Sequence, residues 1–170
     1  MNAQYSGPLA IAKADRKLVD LGGLGVHFKL WGKESGGRVS VVEHPMQPRR
    51  LVPPHVHSME DEVSYVVHGR FGARIGDEIL TAGPGDYIYK PCGVPHTFWN
   101  PTDQPALLVE IIAPAGFEVF FLETAEFFQS GGKPGSPEHG KIAERYGLTF
   151  FSDWIPELKS RFGLKLLGEP

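Results

Sequence analysis

The sequence is short of the features that mark several protein classes. It holds one cysteine, Cys92, in 170 residues. A single thiol cannot close an internal disulfide, so a reducing, cytoplasmic compartment is expected. Cys92 itself reads as a small turn residue. No basic run is longer than Arg49-Arg50 and the formal net charge is -3, so the electrostatic footprint of a nucleic-acid binder is missing. There is no run of about 18 apolar residues to span a bilayer. Residues 1–17 lack a basic segment followed by a long apolar core, so no secretion signal and no membrane partner are expected. Leu21-Gly-Gly-Leu-Gly25 is glycine-rich but has neither the lysine nor the following helix of a phosphate loop. No internal repeat is evident, which argues for one unit over two.

What is present is turn chemistry between short apolar segments. Gly 21 and Pro 15 are high together, while 41% apolar and 22% charged residues are ordinary for a globular domain. Alternation predicts strands over residues 26–31, 38–43, 63–67, 71–75, 78–81, 87–90 and 96–100, with Gly76-Asp77 as a tight hairpin turn. Residues 106–113 form a nearly continuous apolar run, expected to be covered on both faces. Pro45, Pro48, Pro53 and Pro54 are expected to break the strand before them and deliver an extended segment.

The period changes near residue 118. Phe117, Phe120, Phe121, Thr124 and Phe128 recur at helical spacing, a stripe expected to be core packing. Ser136-Pro137 is a helix start, with Ser as N-cap and Pro at the first helical position, and Gly147 is its stop. A further short helix is expected from Trp154 to Phe162. The expectation is one domain over residues 1–170, with a β-barrel over about 21–114 and a helical extension over about 117–170. Residues 1–20 are weakly patterned and expected to form an arm or outer strand.

The chemistry concentrates in two stretches. In Pro54-His-Val-His-Ser-Met-Glu-Asp-Glu62, His55 and His57 are two apart, so on a strand both imidazoles face the same side. Glu62 follows at the head of the next apolar run. Downstream, Gly85-Asp-Tyr-Ile-Tyr-Lys-Pro-Cys-Gly-Val-Pro-His96 supplies a third histidine. Three imidazoles and one carboxylate suit a divalent transition metal: Fe, Ni, Mn, Co, Cu or Zn.

The spacing is similar to that of the cupin superfamily. The first stretch reads His55, His57, Glu62 and Gly69; the second reads Gly85, Pro91, Gly93, His96 and Asn100. One position departs, since Arg49 stands where the family places a glycine. The 15 residues between the stretches match the short gap of compact members. The tail from Ala113-Pro-Ala-Gly-Phe-Glu118 resembles small quercetin-dioxygenase-like cupins.

This resemblance implies a mainly β fold, a single double-stranded β-helix (jelly-roll) barrel with C-terminal helices. It implies metal ligation by His55, His57, Glu62 and His96, with Glu62 as catalytic base as well as ligand. The implied activity is a metal-dependent dioxygenase using O2 on a small aromatic or enolic substrate. A non-oxidative isomerase, lyase or hydrolase, or a non-catalytic small-molecule binder, stands as the alternative. Family habit implies a homodimer.

Strand alternation places Phe28, Ser64, Val66 and Phe98 in the pocket and Met59 near its mouth. Lys90 and Arg74 are candidate anchors for a substrate carboxylate. Glu60 and Asp61 are expected at the rim or behind the ligands. His27, His44 and His139 are expected at the surface, and His68 to face away from the site.

Overall fold

The computed structural model describes residues 7–13 and 15–170; the expected N-terminal arm lies partly outside them. Thirteen strands and three helices follow in chain order: β1 (Leu18–Asp20), β2 (Gly25–Leu30), β3 (Ser40–Met46), β4 (Arg50–Leu51), β5 (His55–His57), β6 (Asp61–His68), β7 (Phe71–Ile75), β8 (Glu78–Ala82), β9 (Tyr87–Lys90), β10 (His96–Trp99), β11 (Ala106–Ala113), α1 (Glu118–Gln129), α2 (Pro137–Arg145), β12 (Leu148–Phe150), α3 (Ile155–Phe162) and β13 (Lys165–Leu166).

The strands make two sheets. One runs β1-β2-β3-β11-β6-β9; the other runs β12-β5-β10-β4-β13, with β7 paired to β10 and to β8. All pairings are antiparallel except β13 on β4. This is the jelly-roll arrangement, two sheets facing each other across one core.

Alternation decides which side chains enter that core. In β11 the buried set is Ala106, Leu108, Glu110 and Ile112, while Leu107, Val109 and Ile111 are only half-buried. The strand expected to be covered equally on both faces is therefore covered unequally, and it carries a carboxylate inward. Pro45 does not end β3. It sits opposite Leu107, and its ring packs against Gly25, where an added Cβ would lie 2.6 Å from Pro45 Cγ. Absence of a side chain at Gly25 lets the proline stay in the strand.

The C-terminal segment is more than a helical appendage. Helix α1 turns Phe120, Phe121, Thr124 and Ala125 inward. Ser136 Oγ caps α2 by accepting from the His139 N–H at 3.3 Å. Gly147, at φ 65°, ends that turn in the left-handed region glycine favours. Strand β12 then pairs with β5, setting Leu148 opposite His57 and Phe150 opposite His55. A second apolar cluster of Leu51, Trp99, Leu158 and Leu164 fastens α3 to the outside of the barrel. Each such fully buried side chain contributes about 1.5–3 kcal/mol by leaving water.

Candidate metal centre

His55 and His57 are both buried on β5, with Val56 between them turned outward. Antiparallel pairing sets His96 of β10 directly opposite His55. Glu62 comes from β6 in the facing sheet, so the centre joins the two layers of the barrel. The imidazole centroids lie 5.1 Å (His55–His57), 4.5 Å (His55–His96) and 5.5 Å (His57–His96) apart. One donor atom from each of the four residues lies within 4.8 Å of the others. Glu62 Oε1 is 3.5 Å from His57 Nε2, and Oε2 is 3.3 Å from His96 Nε2.

The second nitrogen of each ring explains why the first is free. His55 Nδ1 meets the Pro53 carbonyl at 2.7 Å and His96 Nδ1 the Val94 carbonyl at 2.9 Å. His57 Nδ1 meets Glu60 Oε2 at 3.3 Å. Carbonyls and carboxylates accept, so Nδ1 carries the proton in each ring and the Nε2 lone pair points inward. His57 Nε2 and His96 Nε2 are buried with no hydrogen-bond partner. Buried polar atoms are rarely left so, and a metal ion satisfies them. The residues present therefore fit a metal on donor type, number and convergence.

The charges agree. Burial, then the neighbouring imidazoles, holds His55 well below the usual histidine range. Burial also lowers His96. Burial would raise Glu62, but Lys90, with His57 and His96, outweighs it and keeps the carboxyl well below its ordinary value. Neutral imidazole and ionised carboxylate are the forms that ligate.

Behind Glu62 lies a network the sequence did not disclose. Lys90, expected as a substrate anchor, is fully buried and lies 2.9 Å from Glu62 Oε2 and 2.7 Å from Glu110 Oε2. Burial would lower its pKa; Glu110 and Glu62 raise it. Ser64 Oγ donates to both Glu110 oxygens at 3.1 and 3.0 Å. Burial pushes Glu110 up to about 7 against the pull of Lys90, and the Glu62 charge adds to the rise. Arg74, the other expected anchor, is engaged away from the centre, pairing with Glu157 at 3.0 Å and lying over the Trp154 ring. Glu60 is behind the ligands as expected. Asp61 accepts from the Cys92 N–H at 2.8 Å and so ties down the turn before His96.

A cavity of about 430 Å³ opens from the centre. His55, Glu62 and Glu110 stand at one end, with Phe98 in its wall, as do Phe117, Phe120, Phe121 and Phe128 of the C-terminal stripe. That stripe is thus cavity wall as well as packing. Of the other pocket candidates, Phe28 is buried in the core and stacks on Trp31, Val66 is core, and Ser64 serves Glu110. Met59 is 56% exposed. None of these four lines the cavity. His44 and His139, expected at the surface, are both buried and both line it. His44 Nδ1 meets the Gly25 carbonyl at 2.9 Å. The one hint in the sequence was position, since His44 falls at an inward step of a predicted alternation carried two residues further.

Residues 43–112 match the cupin domain family. The barrel is a cupin domain. No curated protein matches the sequence. Among solved structures, KdgF from Halomonas sp. is similar at 18% identity and TM-score 0.60, over 66% of this chain and 99% of that one. A RmlC-like cupin from Shewanella frigidimarina is similar at 20% identity and TM-score 0.57, over 66% and 96%. An oxalate decarboxylase variant from Bacillus subtilis aligns over 96% of this chain and 39% of its own length, at 16% identity and TM-score 0.58. At these identities the likeness is one of cupin fold. Among the described residues no helix is long and apolar enough to cross a membrane.

Proposed function

We propose that this cupin is a metal-dependent oxygenase of the quercetin-dioxygenase-like kind, acting on a small aromatic or enolic substrate. The observation that carries the reading is the meeting of two features. Three histidines and Glu62 converge at the inner end of the cavity, and among the described residues no lysine or arginine lines it. An apolar wall favours an aromatic body over a sugar or phosphate, whose charges would find no partner there.

His55, His57, Glu62 and His96 would hold the metal. A bound transition metal supplies Lewis acidity toward a substrate oxygen and, where redox-active, electron exchange with O2. The protein's own part is proton handling and exclusion of water. Glu62 accepts the acidic proton of the substrate, and its carboxylate is oriented for that by Lys90 at 2.9 Å. Glu110, bridged to Glu62 through Lys90, offers a second place for a proton near neutral pH. The phenylalanines of α1 cover the cavity.

Glu110 also favours a second reading. A carboxyl held at about 7 that lines the cavity suits a non-oxidative isomerase or lyase, in which the proton is moved and returned. Elemental analysis of the purified protein beside a His55→Ala/His96→Ala variant tests the shared premise. O2 uptake with flavonols and enolised 1,3-diketones then separates the readings. About one metal per chain with substrate-dependent O2 uptake supports the oxygenase. Metal with turnover but no O2 uptake favours the second. No metal, even after reconstitution, overturns both.

A further inference from the structure

The cavity has a second polar place, far along the α1 stripe from the metal ligands. Thr124 Oγ1 and His139 Nε2 are buried and have no hydrogen-bond partner. Both residues line the cavity and are 2% and 6% exposed. Each is unusual for its setting. A threonine inside a helix ordinarily returns its hydroxyl to a carbonyl one turn back; Thr124 does not. His139 accepts the Gly135 N–H on Nδ1 at 3.2 Å. The neutral ring must then carry its proton on Nε2, a donor with nothing to receive it. Burial lowers the pKa of His139, which keeps the ring neutral.

The two groups share one wall. The His139 ring lies 6.1 Å from Phe120 and 5.1 Å from Phe128, centroid to centroid. Thr124 falls midway between those two rings at four-residue steps along α1, hence on the same helix face. Around them are Phe120, Phe128 and Phe150. The only charged side chains lining the cavity, among the described residues, are Glu62 and Glu110 at the other end. An anionic group at the Thr124 end would meet no counter-charge. An uncharged oxygen would meet two idle donors.

We propose that Thr124 and His139 form a distal subsite that receives an uncharged acceptor oxygen, a carbonyl or ether, on a ligand whose aromatic or alkyl body fills the sleeve toward the metal ligands. The inference deepens the oxygenase reading by specifying the substrate class: elongated, neutral at its far end and apolar between. The proposed oxygen leaves neither donor stranded in an apolar wall.

The test uses the full chain, chelated and metal-loaded, titrated calorimetrically with 4-phenyl-2-butanone, n-butylbenzene and 4-phenylbutyrate. The ketone is expected to bind about fivefold tighter than the hydrocarbon, the size of one neutral hydrogen bond. That preference is expected to survive chelation. Thr124→Val removes an unpartnered hydroxyl while keeping the shape, so it is expected to fold, to lose most of the preference and to leave n-butylbenzene unchanged. Thr124→Ser is expected to restore the preference, and His139→Phe to weaken the ketone alone.

Equal binding of ketone and hydrocarbon, a preference untouched by Thr124→Val, or no binding of either overturns the subsite. So does chelated protein that takes 4-phenylbutyrate as tightly as the ketone. A preference that disappears on chelation places the carbonyl at the metal end, which also overturns it while the metal reading stands. A preference that persists in a chain that never takes up metal supports the subsite and sinks the metal reading.

Discussion

Lys90→Met is the sharpest probe of the charge network behind the centre. The ammonium is fully buried and contacts two carboxylates, Glu62 at 2.9 Å and Glu110 at 2.7 Å. Methionine keeps the length of the chain and removes the charge. In metal-free protein Glu62 then retains a buried negative charge with only its imidazole neighbours beside it. Removing one partner of a buried pair costs about 3–5 kcal/mol. For a chain of this size that lowers Tm by roughly 10 °C.

The pH dependence has a definite sign. Without Lys90, Glu110 rises further above the about 7 it already holds. A carboxyl whose folded value is raised stabilises fully below its unfolded value and loses that contribution as pH rises through the folded one. The variant should therefore be least affected near pH 5 and most affected above 7. Glu110→Gln in the same chain removes the second carboxylate and keeps an acceptor for Ser64, so the double variant should recover most of the loss. Thermal melts by circular dichroism in chelator, at both pH values, measure this. A Lys90→Met melt within about 2 °C of the parent, or a double variant no better than the single, refutes the network.

Glu60→Ala removes the carboxylate that orients His57 through Nδ1. Metal affinity should fall about 10- to 100-fold in chelator competition, with the fold intact, and Glu60→Gln should lose less. His44 gives a pH test, because burial holds its pKa down at about 4 against 6.5. A histidine depressed in the folded state contributes fully above 6.5 and loses that contribution as pH falls toward 4, worth about 3 kcal/mol in all. Urea unfolding between those pH values should show a steeper acid loss in the parent than in His44→Phe, which fits among Phe98 and Phe121. At Gly72 an added Cβ would overlap the Trp99 ring, which is 1% exposed. Gly72→Ala should cost about 1–3 kcal/mol in the same assay, and an unchanged midpoint would show that Trp99 can move aside.

Local physics made much of this chain legible from its residues alone. Period-two alternation and Gly or Pro turns bounded β7, β9 and β11 at their observed ends. The helical recurrence of phenylalanine marked α1, and Ser136-Pro137 marked the start of α2. The four ligand candidates were legible because strand geometry puts His55 and His57 on one face and because their spacing to Glu62 and His96 follows a known pattern. Tertiary structure decided the rest. Glu110 is one carboxylate in an apolar run, and nothing local says that β11 aims it at Lys90, 20 positions earlier. His44 and His139 carry no sign of burial; α1 and α2 fold over the barrel and enclose them. Phe28, Ser64 and Val66 do share the inward side, but alternation assigns a face and not a depth. Which inward side chains meet the cavity depends on how two sheets and a distant phenylalanine stripe close around it. Those contacts are long-range, and no local pattern encodes them.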